Sequence, residues 1–283
     1  MATLEDYGKY ETAWCPGCGD FGLLQALKKG LVACNLEPHQ VLITSGIGQA
    51  AKAPHYLNVN VFNGLHGRAL PPATGAKLAN PNLVVIAESG DGCFYGEGGN
   101  HFLGALRRNI NITMLVHNNQ VYGLTKGQAS PTSEEGLVTK AQPHGALSEP
   151  FNPVAVAITF FANFVARGFS GNIDQLADLI KQGIEHKGFS LIDVFQPCVS
   201  FNKVNTYAWY KKHCYDIPAD HDPANWDAAM KLALQNEDKI PLGVLYKNNR
   251  PAFEDKFPIL SEGPLFSKDV DKAALADILD SFA

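Results

Sequence analysis

The run Leu83-Val-Val-Ile-Ala87, closed by Glu-Ser-Gly-Asp-Gly, constrains the fold more than any other stretch of the chain. A short, continuous apolar segment that stops at glycines suits a strand buried on both faces, and such strands belong to parallel sheets covered by helices. The same rhythm recurs along the sequence. Val41-Leu-Ile-Thr44 stops at Ser45-Gly-Ile-Gly48, Ile112 to Val116 stops at His-Asn-Asn, and Ser190-Leu-Ile-Asp-Val-Phe195 stops at Gln196-Pro-Cys198. Phe164 to Ala166 is a further short strand. Helical spacing of Leu23, Leu24, Leu27, Leu31 and Val32 predicts a helix over 21–36. Other helices are expected from Ala73 to Ala79, over 102–108, over 154–162 and over 174–187. Strands alternating with helices define an α/β fold with a doubly wound, mainly parallel sheet.

Residues 1–13 read as a polar N-terminal arm and 14–204 as the α/β domain. Residues 205–283, more aromatic and charged, read as a C-terminal extension packing on the domain or on a partner. The stretch 125–153 is rich in Gly, Pro, Ser and Thr and reads as a long functional loop. A formal charge of -5 gives no electrostatic basis for binding nucleic acid or an anionic membrane. No apolar run reaches bilayer-spanning length, and the N-terminus lacks a secretory pattern, so a cytoplasmic location is expected. Six cysteines are too few for a disulfide framework. Cys15-x-x-Cys18, in a Gly/Pro turn, reads as a metal or redox motif.

Ligands in sheets of this kind sit at the carboxyl ends of the strands, so the SGIG, GDG and HNN segments should meet. Glycines let a diphosphate approach backbone N–H groups, and its charge calls for a divalent cation. Mg²⁺ takes oxygen ligands, which Asp91, Asn119 and the Val121 carbonyl can supply just past two strands. Alone, either Gly90-Asp-Gly92 or Asn118-Asn119 is an ordinary turn; together they mark a diphosphate–cation site. No G-x-G-x-x-G opens a helix and no P-loop is present.

GDG…NN is the thiamine-diphosphate signature. The words WCPGCGDFG, SGIG, LHGRALPPATGAKLANP, GGNHFLGALRRN, NNQVYGLTKGQASPTS, FNPVAVAI and QPCVSFN resemble the β subunit of 2-oxoacid:ferredoxin oxidoreductases, from about Trp14 to Asn202. The resemblance implies a thiamine-diphosphate-binding domain of the PP type. Gly90, Asp91, Gly92, Asn119 and Val121 would hold Mg²⁺ and the diphosphate, with Gly46, Ile47, Gly48, Gly123 and Leu124 around the cofactor. His66 would lie near the diphosphate or the reactive ring, and Lys126 near the substrate carboxylate.

The family's [4Fe–4S] cluster takes four cysteines. Cys15, Cys18 and Cys198 match three of these positions, whereas Gln49 stands where the family has the remaining one. A cluster on three thiolates, a borrowed Cys93, loss of the cluster and a zinc site all remain open. The implied reaction is reversible oxidative decarboxylation of a 2-oxoacid, such as pyruvate or 2-oxoglutarate, to acyl-CoA and CO₂, with electrons passed to ferredoxin. No second α/β domain fits after residue 200, so an α-type subunit is expected to bring the pyrimidine-binding domain and its activating Glu, in a heterodimer. Two other readings stand beside this one: half of a non-oxidative thiamine-dependent decarboxylase or synthase, and a non-catalytic scaffolding homologue.

Overall fold

A computed structural model describes residues 2–235 and 239–282. Eight strands form its sheet: β1 (Val41–Ser45), β2 (Asn60–Asn63), β3 (Val84–Gly90), β4 (Thr113–Asn118), β5 (Phe164–Phe169), β6 (Ser190–Phe195), β7 (Cys214–Asp216) and β8 (Ile240–Lys247). Their order is β2-β1-β3-β4-β6-β5-β8-β7, and every neighbouring pair is parallel except β5 with β8. The sheet is thus of the α/β, mainly parallel kind that the apolar runs imply.

Both faces of the central strands are covered, as runs without polar alternation demand. Ile86, Leu115 and Ile192 point to one face and pack with Leu23 and Leu27 of α1 (Asp20–Ala33) and with Leu176 and Ile180 of α5 (Ile173–Glu185). Their neighbours Val85, Ala87, Met114, Val116 and Leu191 point to the other face. There they meet α2 (Leu70–Ala79), α3 (Gly99–Arg108), α4 (Pro153–Thr159) and α7 (Trp226–Ala233). Two-residue alternation sends each strand's side chains into two separate cores.

Several details differ from the sequence reading, each for a local reason. α2 begins at Leu70 rather than Ala73, because Pro71 and Pro72 occupy its first turn, where a missing N–H costs nothing. β3 runs on through Glu88 and Ser89 to Gly90, since the ladder to β4 continues through Gly90↔His117. A π-helical turn (Gly92–Glu97) follows directly. β2 lies exposed along its length and carries no buried pattern that would announce it. The stretch after 205 supplies α6 (Tyr207–His213) and extends the sheet, with β8 antiparallel to β5. In the N-terminal arm Tyr7 is fully buried, and its hydroxyl donates to the Leu36 carbonyl at 2.6 Å.

The carboxyl ends of β1, β3, β4, β6 and β5 share one edge of the sheet, which gathers the glycine turns. Leu115, fully buried midway along β4, anchors that edge. Leu115→Ala is expected to cost about 2–5 kcal/mol in urea unfolding, as for other buried leucines.

Candidate active site

A cavity of about 330 Å³ opens at the carboxyl ends of β1, β3 and β4. Ile47 and Gly48 come from the turn after β1, Gly90, Asp91 and Gly92 from the end of β3, and Asn119, Val121, Gly123 and Leu124 from the chain leaving β4. His66 lines its rim. Gln49, Cys93, Glu97 and Tyr122 also face it. Gly46 and Lys126 do not line it. A Cβ on Gly46 would come within 2.3 Å of Cys93 Sγ, so the glycine lets that buried thiol pack behind the turn. Lys126 is exposed, with φ +82, on a turn closed by Tyr122 N–H to the Gln128 carbonyl (2.8 Å) and Gly127 N–H to the Tyr122 carbonyl (2.9 Å).

Two glycines are required by geometry. Gly48 has φ +121 and faces open space, leaving a bare backbone at the cavity wall. At Gly92 a Cβ would fall 2.2 Å from the Tyr122 ring, which closes over the turn.

Asp91 is buried, and its Oδ2 accepts from the Ser130 hydroxyl at 2.5 Å. The Thr132 hydroxyl lies 2.7 Å from the same oxygen and 2.8 Å from Asn118 Oδ1; with one proton it donates to one of them at a time. Burial pushes the Asp91 carboxyl up to about 6, although the two hydroxyls pull it down. Among the described residues, no cationic side chain is one of its partners. A buried carboxylate at a cavity wall, held by two neutral hydroxyls and the Asn119 backbone N–H, fits a divalent cation on its other side. Asn119 Oδ1 accepts from Val121 N–H at 3.0 Å across Gln120, whose φ is +59. This tight turn sets the Asn119 side chain and the Val121 backbone beside Asp91.

Behind the cavity lies a buried charged row that the sequence did not disclose. His117 Nδ1 stands 2.6 Å from Asp20 Oδ1 and Nε2 stands 2.9 Å from Glu88 Oε1, all three fully buried. Burial opposes the imidazolium, but the two carboxylates overcome it and raise His117 to about 9. The Cys18 thiol donates to the other Asp20 oxygen at 3.2 Å. The Cys-Pro-Gly-Cys turn is thereby tied through α1 to β3 and β4.

That turn adjoins the one after β6. Gly19 N–H donates to the Pro197 carbonyl at 3.2 Å, and the Ser200 hydroxyl to Cys15 Sγ at 3.2 Å. Cys198 Sγ lies 3.9 Å from the Cβ position of Gly123. Burial and the nearby Asp20 carboxylate push the Cys18 thiol strongly up. Gln49 joins the same region: its carbonyl accepts from Trp14 Nε1 at 2.9 Å, and its side-chain Oε1 is buried with no partner. Among the described residues, no three Cys, His, Asp or Glu side chains form a metal-ligand group.

The fold and the glycine-lined cavity define a thiamine-diphosphate-binding domain. Residues 40–194 match the family described as thiamine pyrophosphate enzyme, C-terminal TPP binding domain. Residues 198–262 match the family that describes the C-terminal part of the pyruvate ferredoxin oxidoreductase beta subunit. The chain is 43% identical to 2-oxoacid:ferredoxin oxidoreductase 1, subunit beta, of Aeropyrum pernix, over 90% of this chain and 84% of that one. It is 44% identical to the 2-oxoglutarate oxidoreductase subunit KorB of Mycobacterium tuberculosis, over 87% and 78%. It also superposes on the 2-oxoglutarate:ferredoxin oxidoreductase of Magnetococcus marinus, solved with 2-oxoglutarate, coenzyme A and succinyl-CoA bound. That match has a TM-score of 0.91 and 35% identity, and covers 98% of this chain and 96% of the other. The chain belongs to the family of 2-oxoacid:ferredoxin oxidoreductase β subunits. Among the described residues no helix is long and apolar enough to cross a membrane.

Asp91, raised from the ordinary 3.8 to about 6, favours the folded, cofactor-free chain most fully below pH 3.8, where it is neutral in both states. That advantage is lost as pH rises through 6. Asp91→Asn, which removes the buried charge, is thus expected to stabilise the cofactor-free protein at pH 7.5 by on the order of 1–3 kcal/mol. The gain should fade toward pH 4, as read by urea unfolding at the two pH values.

Proposed function

We propose that this chain is the thiamine-diphosphate-binding half of a 2-oxoacid oxidoreductase that is active only with an α-type partner subunit. The reaction is oxidative decarboxylation of a 2-oxoacid to acyl-CoA and CO₂, run reversibly, with electrons leaving toward ferredoxin. The observation that carries this reading is the meeting of Gly90-Asp91-Gly92 and Asn119-Val121 around one cavity, in a chain of this family.

Asp91, Asn119 and the Val121 carbonyl are the Mg²⁺ ligands in this proposal, and the backbone at Gly90 and Gly92 meets the diphosphate. Gly46, Ile47, Gly48, Gly123 and Leu124 shape the rest of the cofactor's surroundings. Thiamine diphosphate supplies a nucleophilic carbon and an electron sink, which lets CO₂ leave a 2-oxoacid. This chain's own part is to hold the diphosphate end, to shield it under Tyr122 and to present His66 at the rim, with Lys126 on the exposed turn that follows Leu124 and Thr125. The exposed Lys126 ammonium is positioned to attract the substrate's carboxylate. The partner brings the pyrimidine-binding domain, its activating Glu and the rest of the substrate pocket. A cytoplasmic setting accords with this role.

Cys15, Cys18 and Cys198 supply three thiolates toward an iron–sulfur cluster, and Gln49 offers only an amide at the fourth position. No electron step is assigned to them. Gln49, standing where the family has its remaining cluster cysteine, keeps a non-oxidative decarboxylase or synthase as the second reading.

The test is reconstitution without oxygen of this chain with its α-type subunit, thiamine diphosphate, Mg²⁺, coenzyme A and either pyruvate or 2-oxoglutarate. Viologen reduction that needs both subunits, the 2-oxoacid and coenzyme A is expected. Free aldehyde or a hydroxyketone without acceptor reduction establishes the second reading instead. In the active complex Lys126→Ala should raise KM for the 2-oxoacid about tenfold or more, the scale of one charge-assisted hydrogen bond, with cofactor affinity unchanged. Gln49→Cys should raise the iron retained per heterodimer after chelator treatment; equal retention in both proteins would show that Gln49 is not the missing ligand position.

A further inference from the structure

A second cavity, of about 600 Å³, lies across the wall that Asn118 and Thr132 form behind the cofactor pocket. Its floor is made by Arg167 of β5 and Asp193 of β6, which are register partners on adjacent strands. Arg167 is only 5% exposed. Its guanidinium sits 5.6 Å from the centroid of the Phe195 ring, and its Nε and Nη1 are buried without a hydrogen-bond partner. The neighbouring Asp193 carboxylate stabilises the guanidinium's charge but makes no hydrogen bond to it; its oxygens accept from the Tyr95 hydroxyl at 2.8 Å and the Asn118 amide at 3.1 Å.

A guanidinium carries five N–H donors in a planar fork suited to a carboxylate, and buried charges are ordinarily paired. Here Arg167 also lines a cavity, while its Nε and Nη1 are themselves shielded from solvent. The rim of that cavity is acidic, formed by Glu134, Glu135 and Glu149, with Trp209 among the side walls. A simple anion would meet Arg167 only after passing three carboxylates. A ligand carrying both charges is attracted at both ends.

We propose that this cavity binds a small zwitterion of the amino-acid class, with its carboxylate on Arg167 and its ammonium toward the Glu134–Glu135–Glu149 rim. The site is separate from the cofactor cavity, yet Thr132 of its lining reaches Asp91 with its hydroxyl. Its acidic rim belongs to residues 119–152, the same connection between β4 and α4 that carries Asn119 and Val121. Occupancy therefore bears on the loop that shapes the cofactor site. Amino acids and 2-oxoacids interconvert by transamination, so a ligand of this class is chemically one step from the proposed substrates. Binding itself does not depend on that reaction.

The test is calorimetric titration of the assembled complex, loaded with thiamine diphosphate and Mg²⁺. The twenty common L-amino acids are added singly at millimolar concentration, with inorganic phosphate as a probe carrying only negative charge. At least one amino acid is expected to bind saturably at one per chain, and more tightly than phosphate. Arg167→Met should weaken that binding about tenfold or more, the scale of one charge-assisted pair. Because Arg167 is buried, the exposed pair Glu135→Gln and Glu149→Gln provides a variant that leaves the fold alone, and it should weaken binding several-fold. Thiamine diphosphate affinity, measured on the same samples, should stay unchanged in the glutamine variant. The proposal is overturned by any of three results: no amino acid binds, phosphate binds as tightly as the best amino acid, or the glutamine variant binds undiminished.

Discussion

The β3–β4 register is the constraint on which the candidate site depends. Gly90 lies opposite His117 in the parallel ladder, so Asp91 and Asn119 leave neighbouring strands at the same level and on the same edge. A slip of one residue would turn every side chain of one strand to the opposite face. It would also bury Asp91 in the apolar cores or carry it away from Asn119. The register is held from both faces, by Ile86 and Leu115 against α1 and α5, and by Val85, Ala87, Met114 and Val116 against the other helices. It is also held by charge. His117 of β4 bridges Glu88 of β3 and Asp20 of α1, and that bridge forms only in the native alignment. Breaking one member would leave an uncompensated charge in the interior, which is why such groups specify an arrangement more than they stabilise it.

The carboxyl edge of the sheet concentrates buried charged groups that line cavities. Asp91 is held near 6 by burial, and Arg167 is buried with unpaired N–H donors. Each faces a cavity, and each is the kind of group that a ligand of opposite charge completes. Between them stand Asn118 and Thr132, hydrogen-bonded to both sides. Structural charges, by contrast, are matched inside the fold, as His117 is by two carboxylates.

How much of this was legible in the sequence follows from what a pattern can encode. Apolar runs that stop at glycine-containing or polar turns announce β1, β3, β4 and β6, and their shared edge follows from the parallel topology. The turns at Gly48, Gly90 to Gly92 and Asn119 to Leu124 could therefore be read as one site, and they do line one cavity. Glu88, His117, Arg167 and Asp193 could not be read as clusters, because a polar residue inside a strand looks the same whether its partner is water or another strand. Ser130 and Thr132 were hidden in a loop rich in such residues. β2 has no buried face, β7 has only three residues, and β8 lies in a stretch scattered with Pro and charge, so none showed a strand pattern. Gln49 was visible as a departure from the family, but its unpartnered oxygen needed coordinates.

The central claim is that Asp91 anchors a cation through which the diphosphate is held. Titration of thiamine diphosphate into the assembled complex, with and without Mg²⁺, tests it most directly when repeated on Asp91→Ala. The account predicts one cofactor per chain, binding that requires the divalent cation, and a loss of roughly 100-fold or more in the variant, the scale of removing one partner from a buried charge pair. Undiminished binding without a divalent cation, or in Asp91→Ala, would contradict it.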